Sequence, residues 1–173
     1  MIPALGVSVS DGVRTQEMLG RMAGIRLDIG CGANKQPGWV GIDFQDLPGV
    51  DIVHDLTRFP WPLPDECAVT AMASHVVEHI PPHNMGFIMF MNEVWRVLKP
   101  GGEFAIVTPH GYSAGYLQDP THCNPCNENT WLYFVQEHPF WMFYRPQPWT
   151  VKYLAWDTTA NIEVVLVKAA RNA

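Results

Sequence analysis

The sequence predicts an α/β fold: a mostly parallel sheet with an antiparallel C-terminal hairpin. Three observations predict it. Short apolar segments alternate with helical or irregular crossovers, most of these segments end in a polar residue, and the last two are joined by a tight turn containing Asp157 and Asn161. At 173 residues the chain suits one domain, read here as residues 25–173 behind an N-terminal arm or lid at residues 1–24.

The elements follow in order. Arg14 to Met22 carries a helical signal, with Met18, Leu19 and Met22 on one face. Residues 25–29 form a first strand, residues 40–44 a second and residues 50–54 a third. Pro60, Pro62 and Pro64 keep the next stretch irregular, because each fixes φ and removes a donor. Residues 67–73 read as a buried strand, and residues 75–80 as a turn of helix cut by Pro81 and Pro82. Between Asn84 and Leu98, Phe87, Ile88, Met91, Val94, Trp95 and Leu98 recur at helical spacing, and Lys99-Pro100-Gly101-Gly102 ends that helix. Residues 103–107 form a strand and residues 108–129 an irregular region. A helix is expected from about Glu128, and strands at residues 150–156 and 162–168 close the chain.

Composition narrows the function. With 47% hydrophobic and 16% charged residues, the chain can bury an ordinary core. A net charge of −6 with scattered basic residues argues against a nucleic-acid partner. No apolar run approaches the ~18 residues of a membrane span, and the N-terminus does not read as a secretory signal. Cys31, Cys67, Cys123 and Cys126 are too few and uneven for a disulfide framework, so a cytoplasmic location is expected.

The most informative segment is Asp28-Ile29-Gly30-Cys31-Gly32, where a strand runs into a Gly-x-Gly turn. Such a turn brings bare backbone close to a ligand. A pyrophosphate site would carry a third glycine, and that position here is Lys35. Asp28 repels phosphate and suits a cation such as S-adenosylmethionine (SAM), with its ammonium and sulfonium. Asp43, ending the second strand, can accept from both hydroxyls of a ribose. Asp55 can accept from an adenine amine while Leu56 packs on the ring. Alternatively, Asp43 and Asp55 cap strands and the glycines make a plain turn.

This spacing resembles the motif order of class I SAM-dependent methyltransferases. Val94 to Gly102 resembles the helix and turn before the fifth strand of that family, and the likeness covers roughly residues 25–168. The resemblance implies a Rossmann-like seven-stranded sheet, SAM as donor and S-adenosylhomocysteine as product. It also implies a cofactor site at Asp28, Ile29, Gly30, Cys31, Gly32, Asn34, Asp43, Phe44, Asp55, Leu56, Ser74 and His75.

Two features fall on the reacting side: Ser74 to His79, after the fourth strand, and Gln118-Asp119-Pro120-Thr121-His122, after the fifth. The second, with the aromatic stretch behind it, resembles a group of small bacterial and viral methyltransferases. Glu78 and His79, with His122, also resemble the metal-binding residues of small-RNA 3′-terminal 2′-O-methyltransferases. His75 stands where those carry a glutamate. A metal site of His75, Glu78, His79 and His122 would favour Zn, Mn, Fe or Co over Mg. Otherwise Glu78 and His79 shape the cofactor pocket, and Asp119 to His122 is a hydrogen-bonded turn. A structural zinc at Cys123-x-x-Cys126 with His110 or His122 is a further option.

The leading function is methyl transfer to an oxygen, ahead of nitrogen, of a small molecule or glycan. His79 and His122 are the candidate bases and Asp119 the orienting acid. No Asn/Asp-Pro-Pro-Tyr string follows the fourth strand, which weighs against transfer to the amino group of a base. The alternatives are a SAM-binding protein without turnover, and a metal-dependent hydrolase using His75, Glu78 and His79 in the pattern His-x-x-Glu-His.

Overall fold

The computed structural model describes residues 23–170. The helix expected over Arg14–Met22 lies outside the described residues, and with it the lid reading of residues 1–24. The strands are β1 (Ile25–Ile29), β2 (Val40–Asp43), β3 (Ile52–Val53), β4 (Ala68–Ser74), β5 (Leu98–Pro109), β6 (Trp149–Trp156) and β7 (Asn161–Lys168). They form one seven-stranded sheet in the order β3-β2-β1-β4-β5-β7-β6. The first five strands are parallel, and β7 runs antiparallel to both β5 and β6. This is the fold that the sequence predicts.

Register explains why the polar strand ends matter. Ile29 pairs with Ile42 on one side and Ala73 on the other, and Ala73 pairs with Ile106. The residues after these four therefore emerge at one level along the sheet. Strand order reverses between β1 and β4, and ligands of open α/β sheets bind in the crevice at such a reversal.

Leu27, Asp28 and Ile29 are all buried, as expected of a central parallel strand covered on both faces. β7 alternates half-buried and buried residues, the mark of a strand with one drier face. Helix α1 (Gly86–Val97) buries Phe87, Phe90, Met91, Val94 and Val97. Each such side chain contributes about 1.5–3 kcal/mol relative to exposure. Phe90 meets Trp61 edge-on at 5.6 Å and lies 6.4 Å from Phe104 of β5, which seats the helix on the sheet.

Several expectations change. β3 has two residues rather than five, because the Asp51 carboxylate takes the Gly41 N–H at 2.7 Å beside the strand's start. Lys99 to Gly102 ends α1 as expected but already belongs to β5. Ala68 pairs with Leu98 and Thr70 with Glu103, so the extra residues bulge out at this edge, with Gly101 at φ +73°. The helix expected near Glu128 is a 3-10 turn, Thr130–Phe134, whose start is held by the Asn127 side chain. The turn after β4 is also 3-10 and spans only Val77–His79. The region after β5 holds the short helix α2 (Ala114–Leu117), capped by Ser113 Oγ at 3.1 Å from the Tyr116 N–H. A further short helix, α3 (Trp141–Tyr144), precedes β6. Among the described residues no helix is long and apolar enough to cross a membrane.

Candidate active site

The glycine turn is built by packing and by two carboxylates. Gly30 has φ +65°, and a Cβ there would stand 2.5 Å from Val76 Cγ2. Gly32 has φ +51° but open space around it, so only its backbone demands glycine. Asp43 Oδ2 accepts the Gly32 N–H at 2.8 Å and Oδ1 accepts the Gln45 N–H at 2.9 Å. Asp28 Oδ2 accepts the Gln36 N–H at 2.8 Å. These bonds stitch the turn to the ends of β1 and β2. Burial raises the Asp28 carboxyl above its ordinary value, opposed by the Gln36 N–H and the nearby Lys35 charge.

A cavity of about 720 Å³ opens at the strand ends. Its walls include Gly30, Asp43, Phe44, Asp55, Leu56, His75, His79 and Thr121. This size suits a cofactor and lies within the ~300–1,000 Å³ usual for small-molecule sites. Asp55 Oδ1 accepts from the Thr57 N–H and hydroxyl, and these bonds hold its carboxyl below the usual value. Phe44 is two-thirds exposed, an apolar ring facing open space beside Asp43.

The second half of the site comes from two segments clamped together. The Glu78 carbonyl accepts from both the Cys123 and Asn124 N–H groups, at 2.9 and 3.0 Å. The buried Asn124 donates its Nδ2 to the Val77 carbonyl at 2.9 Å. This clamp brings the His79 and His122 rings edge-on at 4.7 Å. Ligand atoms of Glu78, His79 and His122 lie within 4.8 Å of one another.

Hydrogen bonds assign the tautomers of both histidines. His122 Nδ1 lies 2.8 Å from the Tyr116 carbonyl, so Nδ1 carries the proton and Nε2 the lone pair. The Thr121 hydroxyl donates to Asp119 Oδ1 at 2.7 Å and so accepts from His79 Nδ1 at 3.1 Å. His79 therefore also has a bare Nε2. Thr121 holds the Asp119 carboxyl below the usual range.

Several expected residues stand elsewhere. Ile29 and Cys31 have buried side chains, and Asp28 is bonded beneath the turn, so these act on a ligand through the loop they hold. Gly32, Asn34 and Ser74 are not among the lining residues either. His75 lies before the 3-10 turn with φ +55°, so it does not share a helical face with His79. It is also absent from the three-residue cluster, although its Nδ1 lies 3.3 Å from Glu78 Oε1. His75, Glu78 and His79 thus do not gather into one ligand cluster. The structural zinc at the cysteines is likewise not formed among the described residues. Cys126 is buried, which pushes its thiol up to about 12, while Cys123 is exposed.

Thr57 and Ile80 line the cavity without having been picked out from the sequence, and Val76 and Thr121 line it from within the two segments expected on the reacting side. Thr108 is a further contributor, since its hydroxyl donates to Glu78 Oε2 at 3.0 Å. Thr108 was signalled by its place at a strand end, and Thr57 by the Asp-x-Thr spacing of Asp55–Thr57, which favours a local side-chain turn.

Comparison with known proteins agrees with this geometry. A family model described as a methyltransferase domain matches residues 34–106. No curated protein matches the sequence. A SAM-dependent methyltransferase from Archaeoglobus fulgidus superposes with a TM-score of 0.60 at 15% identity, covering 92% of this chain and 93% of its own. A Bacillus halodurans chain assigned as a methyltransferase gives 0.60 at 13%, covering 93% and 100%. The [4+2]-cyclase SpnF gives 0.58 at 14%, covering 98% and 85%, so one fold hosts more than one chemistry. Residues 34–106 are thus similar to a methyltransferase domain, and the chain shares the Rossmann-like fold of these structures.

Proposed function

We propose that the enzyme moves the methyl group of SAM to a hydroxyl oxygen of a small-molecule or glycan acceptor entering beside His79 and Thr121. One observation carries this reading: a single cavity is lined both by Gly30, Asp43, Asp55 and Leu56 and by His75, His79 and Thr121. Donor and acceptor would share one enclosure, as an in-line displacement requires. Asp43 would receive the ribose hydroxyls with lone pairs its two backbone bonds leave over. Asp55 and Leu56 would take the adenine, and the turn over Asp28 the cationic end.

In the transfer, an oxygen lone pair forms the new C–O bond as the C–S bond breaks. The C–S electron pair returns to sulfur and leaves a neutral thioether. The hydroxyl proton passes to His79 Nε2. Asp119, acting through Thr121, positions His79 and favours the imidazolium that results. His122 backs His79 ring to ring at 4.7 Å without lining the cavity. Free cysteines at four positions fit action in a reducing cytoplasm.

A panel of hydroxylated acceptors incubated with SAM, read by mass, tests the reading. His79→Ala should lower kcat about 100-fold or more while SAM affinity stays within about threefold. Methyl transfer confined to nitrogen acceptors, or unimpaired in His79→Ala, would overturn it.

A further inference from the structure

We infer that a second cavity, next to the acceptor corner along the segment after β4, binds a flat, neutral, ring-bearing group of the methyl acceptor. That role rests on the function proposed above; the binding of a ring there does not. The cavity measures about 370 Å³ and is walled by Ile88 of α1, by Tyr133 and Phe134 of the 3-10 turn Thr130–Phe134 and by Tyr144 of α3. None of its described lining residues carries a charge. A dry apolar cavity of about 150 Å³ takes one benzene, so this one has room for about two fused rings. Its polar side chains are the hydroxyls of Thr130, Tyr133 and Tyr144, which suit a ring with neutral substituents rather than an ionised one.

The walls are braced before any ligand arrives. Phe87 and Phe134 are buried and meet edge-on at 5.7 Å, which fixes the floor. Tyr133 stacks on Phe140 at 4.9 Å, and Trp141 Nε1 donates to the Pro146 carbonyl at 3.0 Å, which steadies α3 and with it Tyr144. Walls held in this way lose little freedom when a ring enters. The rim is strained as well. Asn84 and Met85 both hold left-handed backbone, at φ 52° and 63°, which residues with a Cβ adopt only where their surroundings impose it. That turn sets the exposed Met85 in the cavity wall, where a flexible thioether adapts to an aromatic guest. Proximity to the reacting corner identifies the occupant. Ile80 lines the first cavity and Pro82 the second, and two residues of chain span at most about 7 Å. An acceptor whose hydroxyl meets His79 therefore lays its rings past Pro82 into this cavity, flanked by the half-exposed Tyr144.

The probe is 2-naphthol, neutral and two-ringed. Titrated into the full chain with S-adenosylhomocysteine present to fill the adenine slot, it should saturate at one equivalent. Tyr144→Ala should weaken it about fivefold or more by removing a ring contact. Ile88→Trp should weaken it about tenfold or more by filling the cavity. Neither variant should change S-adenosylhomocysteine affinity more than about threefold, because the two cavities share no lining residue. No saturable binding, or wild-type affinity in both variants, overturns the inference. Should Ile88→Trp not fold, proton Overhauser contacts in the wild-type chain decide: the naphthol ring must reach the Met85 methyl, and contacts to Phe44 alone overturn the site. In turnover with SAM, 2-naphthol should raise the KM of ring-bearing hydroxyl acceptors and leave kcat unchanged; failure to compete overturns the link to the acceptor. A dimer in solution whose interface covers Met85 and Tyr144 also overturns it. Hydroxyl methylation without naphthol binding would sink this inference alone. If 2-naphthol binds at Met85 while no hydroxyl in the panel is methylated, the proposed function fails and the ring site stands.

Discussion

Gly30 and Asp28 show how single residues set the site. Gly30→Ala places a methyl against Val76 and strains the backbone, a combined cost of about 2–4 kcal/mol. Gly32→Ala meets no neighbour and costs only the left-handed backbone, about 1–2 kcal/mol. Thermal melts should rank them in that order, and Val76→Ala should recover part of the Gly30→Ala loss because the two share one clash. Equal losses would mean that the packing contact is irrelevant. Asp28 predicts a pH effect. Its carboxyl is raised in the folded state, so that state binds the proton more tightly than the unfolded chain. Its contribution is therefore favourable at low pH and lost as pH rises from the ordinary value of 3.8 through the raised one. Asp28→Asn keeps an acceptor for the Gln36 N–H and escapes this loss. It should melt higher than wild type at neutral pH, with the gap closing in acid. A variant that melts lower at neutral pH would contradict the burial argument.

Among elements, the loops decide what the strands can only position. The segment between β3 and β4 is held to α1 by Arg96, whose guanidinium forks onto Glu93 at 3.0 and 2.6 Å and also donates to the Leu63 and Trp61 carbonyls. Glu93 in turn accepts the Trp61 N–H at 2.6 Å. Arg96→Ala leaves a buried carboxylate without its partner and should cost about 3–5 kcal/mol. The segment carries Asp55 and Leu56, so SAM affinity should fall with stability; melts and calorimetry on the same sample check both. Asn124 is the corresponding tie on the acceptor side. Asn124→Ala orphans the buried Val77 carbonyl, at about 1–3 kcal/mol, and should lower kcat with little change in SAM affinity. A SAM affinity loss equal to that of Arg96→Ala would show that the two loops do not act separately. Strands β1, β2 and β4, and helix α1, were legible in the sequence because alternating or helical apolar spacing persists through them. Thr57 and Ile80 were not, because their place in the cavity comes from contacts between segments distant in the chain. The departure of His75 from the expected helical face was hidden for a similar reason: its left-handed backbone arises at a turn whose shape the apolar pattern does not encode.

For the molecule as a whole, the register of Ile29, Ile42, Ala73 and Ile106 puts four strand ends on one level, and the reversal of order beside β1 opens the crevice above them. Fold and several of the cavity's walls were legible because the acids and glycines lie at strand ends, where sequence order alone places them together. The acceptor was not, since its walls come from the turn after β4 and the region after β5. SAM and a hydroxyl acceptor in one enclosure is the central claim, and its cofactor half can be measured before any acceptor is known. Calorimetry of the purified chain with SAM and S-adenosylhomocysteine is the most direct test. One site of about micromolar affinity for each, the product displacing the donor and binding lost in Asp43→Ala, is the predicted result; folded protein that binds neither molecule would contradict it.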